Sequence, residues 1–321
     1  MSKPDVLAVA KLHPLYRQAL DTVYTVHDRT HETDPVAFAA LAPRIVGVAS
    51  TGEALVPGSL LAQLPGAKVV SVFGVGYDGV DVSAALAHGI SVTHTPEVLT
   101  DDVADLAMGL VLAVARGIPQ ADQYVRAGRW SGGPFPLGRK VSGARMGIVG
   151  FGRIGKAIAR RASGFGMSIA YTARGEKADS GLRFFPSAAA LAAEVDFLVV
   201  ITPGGAGTRH LINAEVLEAL GPRGFLINVA RGSVVDEPAL ISALHKGTIA
   251  GAGLDVYANE PQVPEPLWSM ANVVLTPHMA SATHETRQAM ADLAFANMQA
   301  GTAGQPLRTP VPECVGMSRV R

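Results

Sequence analysis

The sequence predicts an α/β protein built as two doubly wound parallel sheets, and three observations carry that expectation. Short apolar runs alternate with helical stretches along most of the chain, the rhythm of strand–helix–strand units whose sheets are covered on both faces. The 321 residues exceed one ordinary core and suit two. In mid-chain, the apolar run Gly147-Ile148-Val149 leads into three glycines spaced G-x-G-x-x-G, Gly150, Gly152 and Gly155, and a helical segment follows.

Composition narrows the partners. The chain is 48% hydrophobic and 17% charged with net charge +0, which describes a soluble globular protein without a polyanion-binding surface, so no nucleic acid is expected. One cysteine, Cys314, excludes an internal disulfide framework and suits a reducing compartment. The N-terminus enters the strand-like Val6-Leu7-Ala8-Val9-Ala10 without a long apolar leader, and the longest apolar helical run, 106–115, is too short to span a bilayer. The expectation is a cytoplasmic protein with no membrane segment.

In the first third, residues 6–10, 24–27, 45–49, 69–72 and 90–93 are strand candidates, separated by helices expected at 14–20, 35–41, 58–63 and 82–87. Two loops follow such strands, Ala49-Ser50-Thr51-Gly52 and Ser71-Val72-Phe73-Gly74-Val75-Gly76-Tyr77-Asp78. Open α/β sheets bind ligands at the carboxyl ends of their strands, which makes Thr51, Gly52, Phe73, Gly74, Val75 and Gly76 candidate substrate contacts. The glycines let backbone N–H groups point at a carboxylate. Phe73 and Tyr77 either line a pocket for a bulky side chain or pack inward.

Thr95-Pro96 and Thr100-Asp101-Asp102 mark a break, with the two aspartates read as helix caps. The apolar helix that follows, 103–116, is expected to be buried between domains or between subunits. After a further helix at 120–127 comes an irregular segment carrying Trp130 and Phe135, which either reaches into a neighbouring active site or, the reading preferred here, packs on the surface.

In the glycine run, the first glycine permits a tight turn, the second lets the backbone approach a pyrophosphate, and the third lets helix and strand pack closely. The helix behind it aims free N–H groups at phosphates. A NAD site usually has an acidic residue at the end of the next strand, whereas this chain reads Tyr171-Thr172-Ala173-Arg174-Gly175-Glu176-Lys177 there. Thr172, Arg174 and Lys177 are the residue types that hold a 2′-phosphate, so NADP, as NADPH, is preferred and NAD is the alternative; Glu176 is the competing ribose contact. Strands at 195–201, 225–229, 249–255 and 273–275, with helices at 187–193, 214–220 and 237–245, complete the second sheet. A helix at 285–298 leads to a proline-rich tail, 306–312, expected to return to the first domain.

Charged residues then appear just past successive strands: Arg231, Asp255, Glu260 and His278. Reducing a ketone makes an alkoxide that needs a proton, and histidine supplies protons near neutral pH. A carboxylate on the other imidazole nitrogen fixes the tautomer, and a guanidinium fork binds a substrate carboxylate while polarising the adjacent carbonyl. No metal is called for.

These motifs make the chain resemble the D-isomer-specific 2-hydroxyacid dehydrogenase family over nearly its full length. The segments that carry the resemblance are Thr95-Pro96-Glu97-Val98-Leu99-Thr100-Asp101-Asp102-Val103-Ala104-Asp105, the glycine run, Asn228-Val229-Ala230-Arg231-Gly232-Ser233-Val234-Val235-Asp236, Gly253-Leu254-Asp255-Val256-Tyr257-Ala258-Asn259-Glu260-Pro261, and Leu275-Thr276-Pro277-His278. The resemblance implies a flavodoxin-like substrate domain from both chain ends, 1–98 and 287–321, a Rossmann NAD(P)-binding domain at 99–286, an active-site cleft, and a homodimer formed through the cofactor domains.

It also implies roles. Arg231 is the substrate-binding arginine, His278 the proton donor or acceptor and Glu260 its partner. Gly150, Gly152, Arg153, Ile154 and Gly155 hold the pyrophosphate; Thr202, Pro203 and Thr208 line the adenosine side; Val103, Val229, Ala230 and Asp255 sit near the nicotinamide; and the loop at Val75-Gly76 grips the substrate carboxylate through backbone amides. Within the family, the 71–78 loop and the Tyr171–Arg174 strand end look most like NADPH-preferring glyoxylate/hydroxypyruvate and hydroxyphenylpyruvate reductases, while Thr202-Pro203-Gly204-Gly205 departs from the bulkier loop of many relatives. The rivals are a D-lactate, D-3-phosphoglycerate or formate dehydrogenase of the same fold, and a dinucleotide-sensing binding protein.

Overall fold

The computed structural model describes residues 3–316; the first two residues and the last five lie outside the described residues. The chain divides into two compact units, one running to Leu99 and resuming at Ala282, the other the continuous stretch Thr100–Ser281. The second division falls ahead of the 286/287 boundary expected from the sequence. Its cause is the helix His284–Thr302, which belongs to the first unit from its first turn, where the Thr286 hydroxyl donates to the Val98 carbonyl at 3.4 Å.

The first unit is a five-stranded parallel sheet, β1 (Asp5–Ala8), β2 (Thr25–Asp28), β3 (Ile45–Thr51), β4 (Val69–Phe73) and β5 (Ser91–Thr93), in the order β2-β1-β3-β4-β5. Helices on both faces bury strands of nearly continuous Val, Ile and Leu; Leu7, Val48, Val70 and Val72 have no exposed surface. β1 starts at Asp5, one residue before the apolar run, because the buried Asp5 carboxylate is satisfied by His27 at 2.8 Å and by Arg44 at 2.7 Å. The helix His284–Thr302 lies on this sheet, and Ser71 Oγ donates to the Ala294 carbonyl at 2.8 Å. The proline-rich tail runs beside β5, where Val311 N–H donates to the Val92 carbonyl at 3.0 Å and Thr93 pairs with Pro310.

The second unit is a seven-stranded parallel sheet: β6 (Arg145–Val149), β7 (Ser168–Thr172), β8 (Arg183–Phe184), β9 (Phe197–Val200), β10 (Phe225–Asn228), β11 (Gly251–Leu254) and β12 (Val273–Leu275), ordered β12-β11-β10-β9-β6-β7-β8. The order reverses at β6, whose neighbours are β7 and β9, so a ligand crevice opens beyond the carboxyl ends of β6 and β9. The apolar helix Thr100–Arg116 packs on the helix Arg153–Ser163 and on β10 and β11, so its burial comes from within its own unit. β8 and the one-turn helices Thr30–Thr33 and Glu265–Trp268 escape sequence reading because two to four residues are too few to carry a period. Among the described residues, no helix is long and apolar enough to cross a membrane.

Candidate active site

The glycine run forms the turn between β6 and the helix Arg153–Ser163. Gly150 has φ +101°, a conformation that L side chains rarely adopt, and a Cβ on Gly155 would stand 2.3 Å from the Gly150 carbonyl oxygen. A Cβ on Gly152, by contrast, would meet nothing within 4 Å. Gly152 also caps the helix without a side chain, so the first-turn N–H groups of Arg153, Ile154 and Gly155 face an open groove. That open, donor-lined turn fits a dinucleotide pyrophosphate.

Around it lie the other residues expected at the cofactor. Thr172 ends β7 and is buried; Arg174, Glu176 and Lys177 follow it on an exposed loop, where Lys177 N–H donates to the Tyr171 hydroxyl at 2.6 Å. Thr202 is half-buried and Pro203 exposed, and the Thr208 hydroxyl donates to the Pro203 carbonyl at 2.7 Å, closing the 202–208 loop on itself. Val103, Val229 and Ala230 are buried, the last two forming the turn that leaves β10.

That turn is held by Asn228, which has 1% of its surface exposed: its side-chain oxygen accepts from Ala230 N–H at 3.1 Å and its amide donates to the Arg231 carbonyl at 3.0 Å. The sequence carries one signal for this role of Asn228, an asparagine able to bond its own backbone two residues on. Gly232 then brings this turn against the next one. A Cβ there would fall 1.9 Å from the Tyr257 carbonyl, so only glycine permits the approach that sets Arg231 near Glu260.

Glu260 bridges two partners: one carboxylate oxygen accepts from Tyr257 N–H at 2.9 Å, the other meets His278 Nδ1 at 2.7 Å. Burial alone raises the Glu260 carboxyl, but the His278 hydrogen bond and charge, the Tyr257 N–H and the Arg231 charge together hold it below the ordinary carboxylate range. His278 keeps 38% of its side chain exposed. With Nδ1 engaged by Glu260, proton exchange falls to Nε2.

His278 has φ +49°, uncommon for a residue other than glycine, and Asp255 supports it there. The Asp255 main-chain carbonyl accepts from His278 N–H at 2.9 Å, and its carboxylate accepts from Thr276 Oγ1 at 2.6 Å, Met279 N–H at 2.9 Å and Ala280 N–H at 3.0 Å. The Asp255 side chain has no exposed surface. Its carboxylate thus holds the loop that carries the histidine.

In the first unit the substrate candidates lie past β3 and β4. The Gly52 and Gly74 backbones are adjacent, a Cβ on Gly74 standing 3.5 Å from Gly52 Cα. Thr51, Gly52, Gly74, Val75 and Gly76 are half-buried, but Phe73 is only 6% exposed. Its ring stacks on His13 at 5.4 Å and on Tyr16 at 5.9 Å, and Tyr77 turns its hydroxyl to Glu313. Of the two orientations open for Phe73 and Tyr77, inward packing is the one observed.

Comparison with known proteins identifies the family. The family model for the D-isomer specific 2-hydroxyacid dehydrogenase NAD binding domain matches residues 108–280. Hydroxyphenylpyruvate reductase of Plectranthus scutellarioides is 46% identical over 97% of this chain and 100% of its own. A 2-ketogluconate reductase of Gluconobacter oxydans is 43% identical over 97% and 99%. Among solved structures, the NADPH-dependent glyoxylate/hydroxypyruvate reductase of Sinorhizobium meliloti, in complex with NADP and malonate, superposes with TM-score 0.89 at 47% identity, covering 97% of this chain and 98% of that one. With the glycine turn and the His278–Glu260 pair in place, the chain belongs to the D-isomer-specific 2-hydroxyacid dehydrogenase family, and it is an NAD(P)-dependent oxidoreductase.

Proposed function

We propose that this enzyme reduces a small 2-keto acid, glyoxylate or hydroxypyruvate, to the D-2-hydroxy acid with NADPH. The observation that carries the reading is the 2.7 Å contact of His278 Nδ1 with Glu260, on loops that also bring Arg231 beside the same carboxylate. Bound in the glycine turn, the nicotinamide cofactor supplies the hydride. Arg231 binds the substrate carboxylate and draws electron density from the carbonyl. His278 delivers a proton from Nε2 to the carbonyl oxygen and becomes neutral; Glu260 stabilises the charged ring before that transfer and holds the remaining proton on Nδ1 after it. The Val75–Gly76 amides of the first unit take part in carboxylate recognition.

NADPH is favoured over NADH by Arg174 and Lys177, exposed just past β7 where a ribose-binding acid would stand. Glyoxylate and hydroxypyruvate are favoured over an aryl pyruvate because Phe73 and Tyr77 are both used in packing. The second unit also exposes Ile118, Val125, Trp130 and Trp268 to between 52% and 68%, which supports a homodimer formed through it. Phe135 packs edge-on against Tyr124 of its own chain. A reducing, cytoplasmic setting suits the single buried thiol of Cys314.

The test is oxidation of NADPH and of NADH, followed separately with glyoxylate, hydroxypyruvate, hydroxyphenylpyruvate and pyruvate. Rapid turnover with NADPH and one of the first two is expected. Preference for NADH would reassign Glu176 as the ribose contact; tight cofactor binding without turnover would make the protein a dinucleotide sensor.

A further inference from the structure

We infer that His94 is a positioning residue for the keto-acid carboxylate, aiming the amide of Gly76; this rests on the reductase reading above. The argument begins with two carbonyls of the turn past β4. The Gly74 carbonyl accepts from Thr95 N–H at 2.8 Å, and the Val75 carbonyl lies 2.8 Å from His94 Nδ1. A carbonyl only accepts, so His94 carries its proton on Nδ1.

In a planar trans peptide the C=O and the N–H of the following residue point in opposite directions. Holding the Gly74 carbonyl towards segment 94–95 turns Val75 N–H away from that segment, and holding the Val75 carbonyl there turns Gly76 N–H the same way. Two successive donors thus face one side of the turn, the arrangement that makes an anion-binding concavity. Thr95 contributes through its main chain, which almost any residue provides. His94 contributes through a side chain, 19 residues from Val75 in sequence.

The histidine is itself fixed. Its ring meets the Tyr77 ring edge-on at 5.4 Å, and its side chain and backbone together are only 8% exposed. Its N–H donates to the Thr309 carbonyl at 3.2 Å, and its carbonyl accepts from Thr309 Oγ1 at 2.6 Å. Thr309 is in turn gripped by the wholly buried Asn297, which accepts from Thr309 N–H at 3.1 Å and donates to Thr309 Oγ1 at 2.7 Å. The C-terminal segment therefore clamps a residue whose ring sets the direction of a peptide plane.

The test compares His94→Phe, which keeps the ring and removes the donor, with His94→Asn, which keeps a donor near the place of Nδ1. His94→Phe is expected to raise KM for glyoxylate by roughly tenfold, with kcat within about threefold, the scale of one misdirected hydrogen bond to a charged group. KM for NADPH stays unchanged, and the dissociation constant of oxamate, a carboxylate that is not reduced, rises with the glyoxylate KM. His94→Asn recovers most of both. Thr309→Val, which removes the hydroxyl clamp and leaves the ring, carries the same signature at smaller size and decides the matter if His94→Phe does not fold. An unchanged glyoxylate KM in a folded His94→Phe, or equal loss in the Phe and Asn variants with a lowered Tm, overturns the inference. Inactivity of the unmodified enzyme towards every keto acid would instead overturn the reductase reading.

Discussion

The five-stranded sheet of the first unit and the seven-stranded sheet of the second are both wholly parallel, and both place their candidate functional groups just past the carboxyl ends of strands. What stands there differs. Past β10, β11 and β12 the second unit presents charged or ionisable side chains, Arg231, Glu260 and His278, each fixed by side-chain or main-chain hydrogen bonds. Past β3 and β4 the first unit presents backbone in turns rich in glycine, and the peptide planes of the turn past β4 are set from segment 94–95. On the proposed reading, one architecture serves proton chemistry in one copy and shape-directed anion recognition in the other, which would locate function in the loops rather than in the sheet.

The contrast breaks most readily at His278. His278→Ala removes the proposed proton donor and is expected to lower kcat by roughly 10³-fold while leaving the NADPH dissociation constant unchanged, read by steady-state kinetics beside a fluorescence titration. Normal turnover would mean that the second unit does not supply the proton.

Glu260→Gln comes next, with a kcat loss of roughly 10²-fold as the imidazole loses its anionic partner. Its stability signature has a definite sign. A carboxyl held low in the folded state stabilises above its unfolded value, near 4.3 for glutamate, and that contribution is lost as pH falls through the folded value. The stability advantage of the natural protein over Glu260→Gln, measured by denaturant unfolding, is therefore expected at neutral pH and to shrink on acidification below that range. An advantage independent of pH would assign the effect to packing.

The smallest effect sharpens the comparison from the other side. Val75→Ala alters a side chain on the turn where only the backbone is asked to bind, so KM for glyoxylate is expected to stay within about threefold of the natural value. A larger change would give the first unit a side-chain role.

How much of this can be read from sequence depends on how local the determinant is. The glycine spacing announces its turn because all three constraints lie within six residues, and strands buried on both faces announce themselves as runs of Val and Ile. Strand ends are less legible, since Ile201 and Val229 continue the apolar pattern after the ladder has stopped. Roles created by tertiary contact are the hardest. Asp255 reads as one more acid past a strand, and only the folded loop shows its carboxylate spent on residues 276–280. Nothing near His94 in the chain says that its ring meets the carbonyl of Val75.

The first unit's discontinuity also bears on synthesis. The helix His284–Thr302 that covers its sheet, with the tail that pairs with β5, is translated after the whole of the inserted stretch Thr100–Ser281. At ribosomal rates that interval is on the order of ten seconds or more, during which β3 and β4 have emerged without their cover. The inserted unit, continuous in sequence, has every one of its strands available before the first unit has its last helix. The uncovered interval is therefore a property of the N-terminal third, and it lasts until the helix His284–Thr302 has emerged.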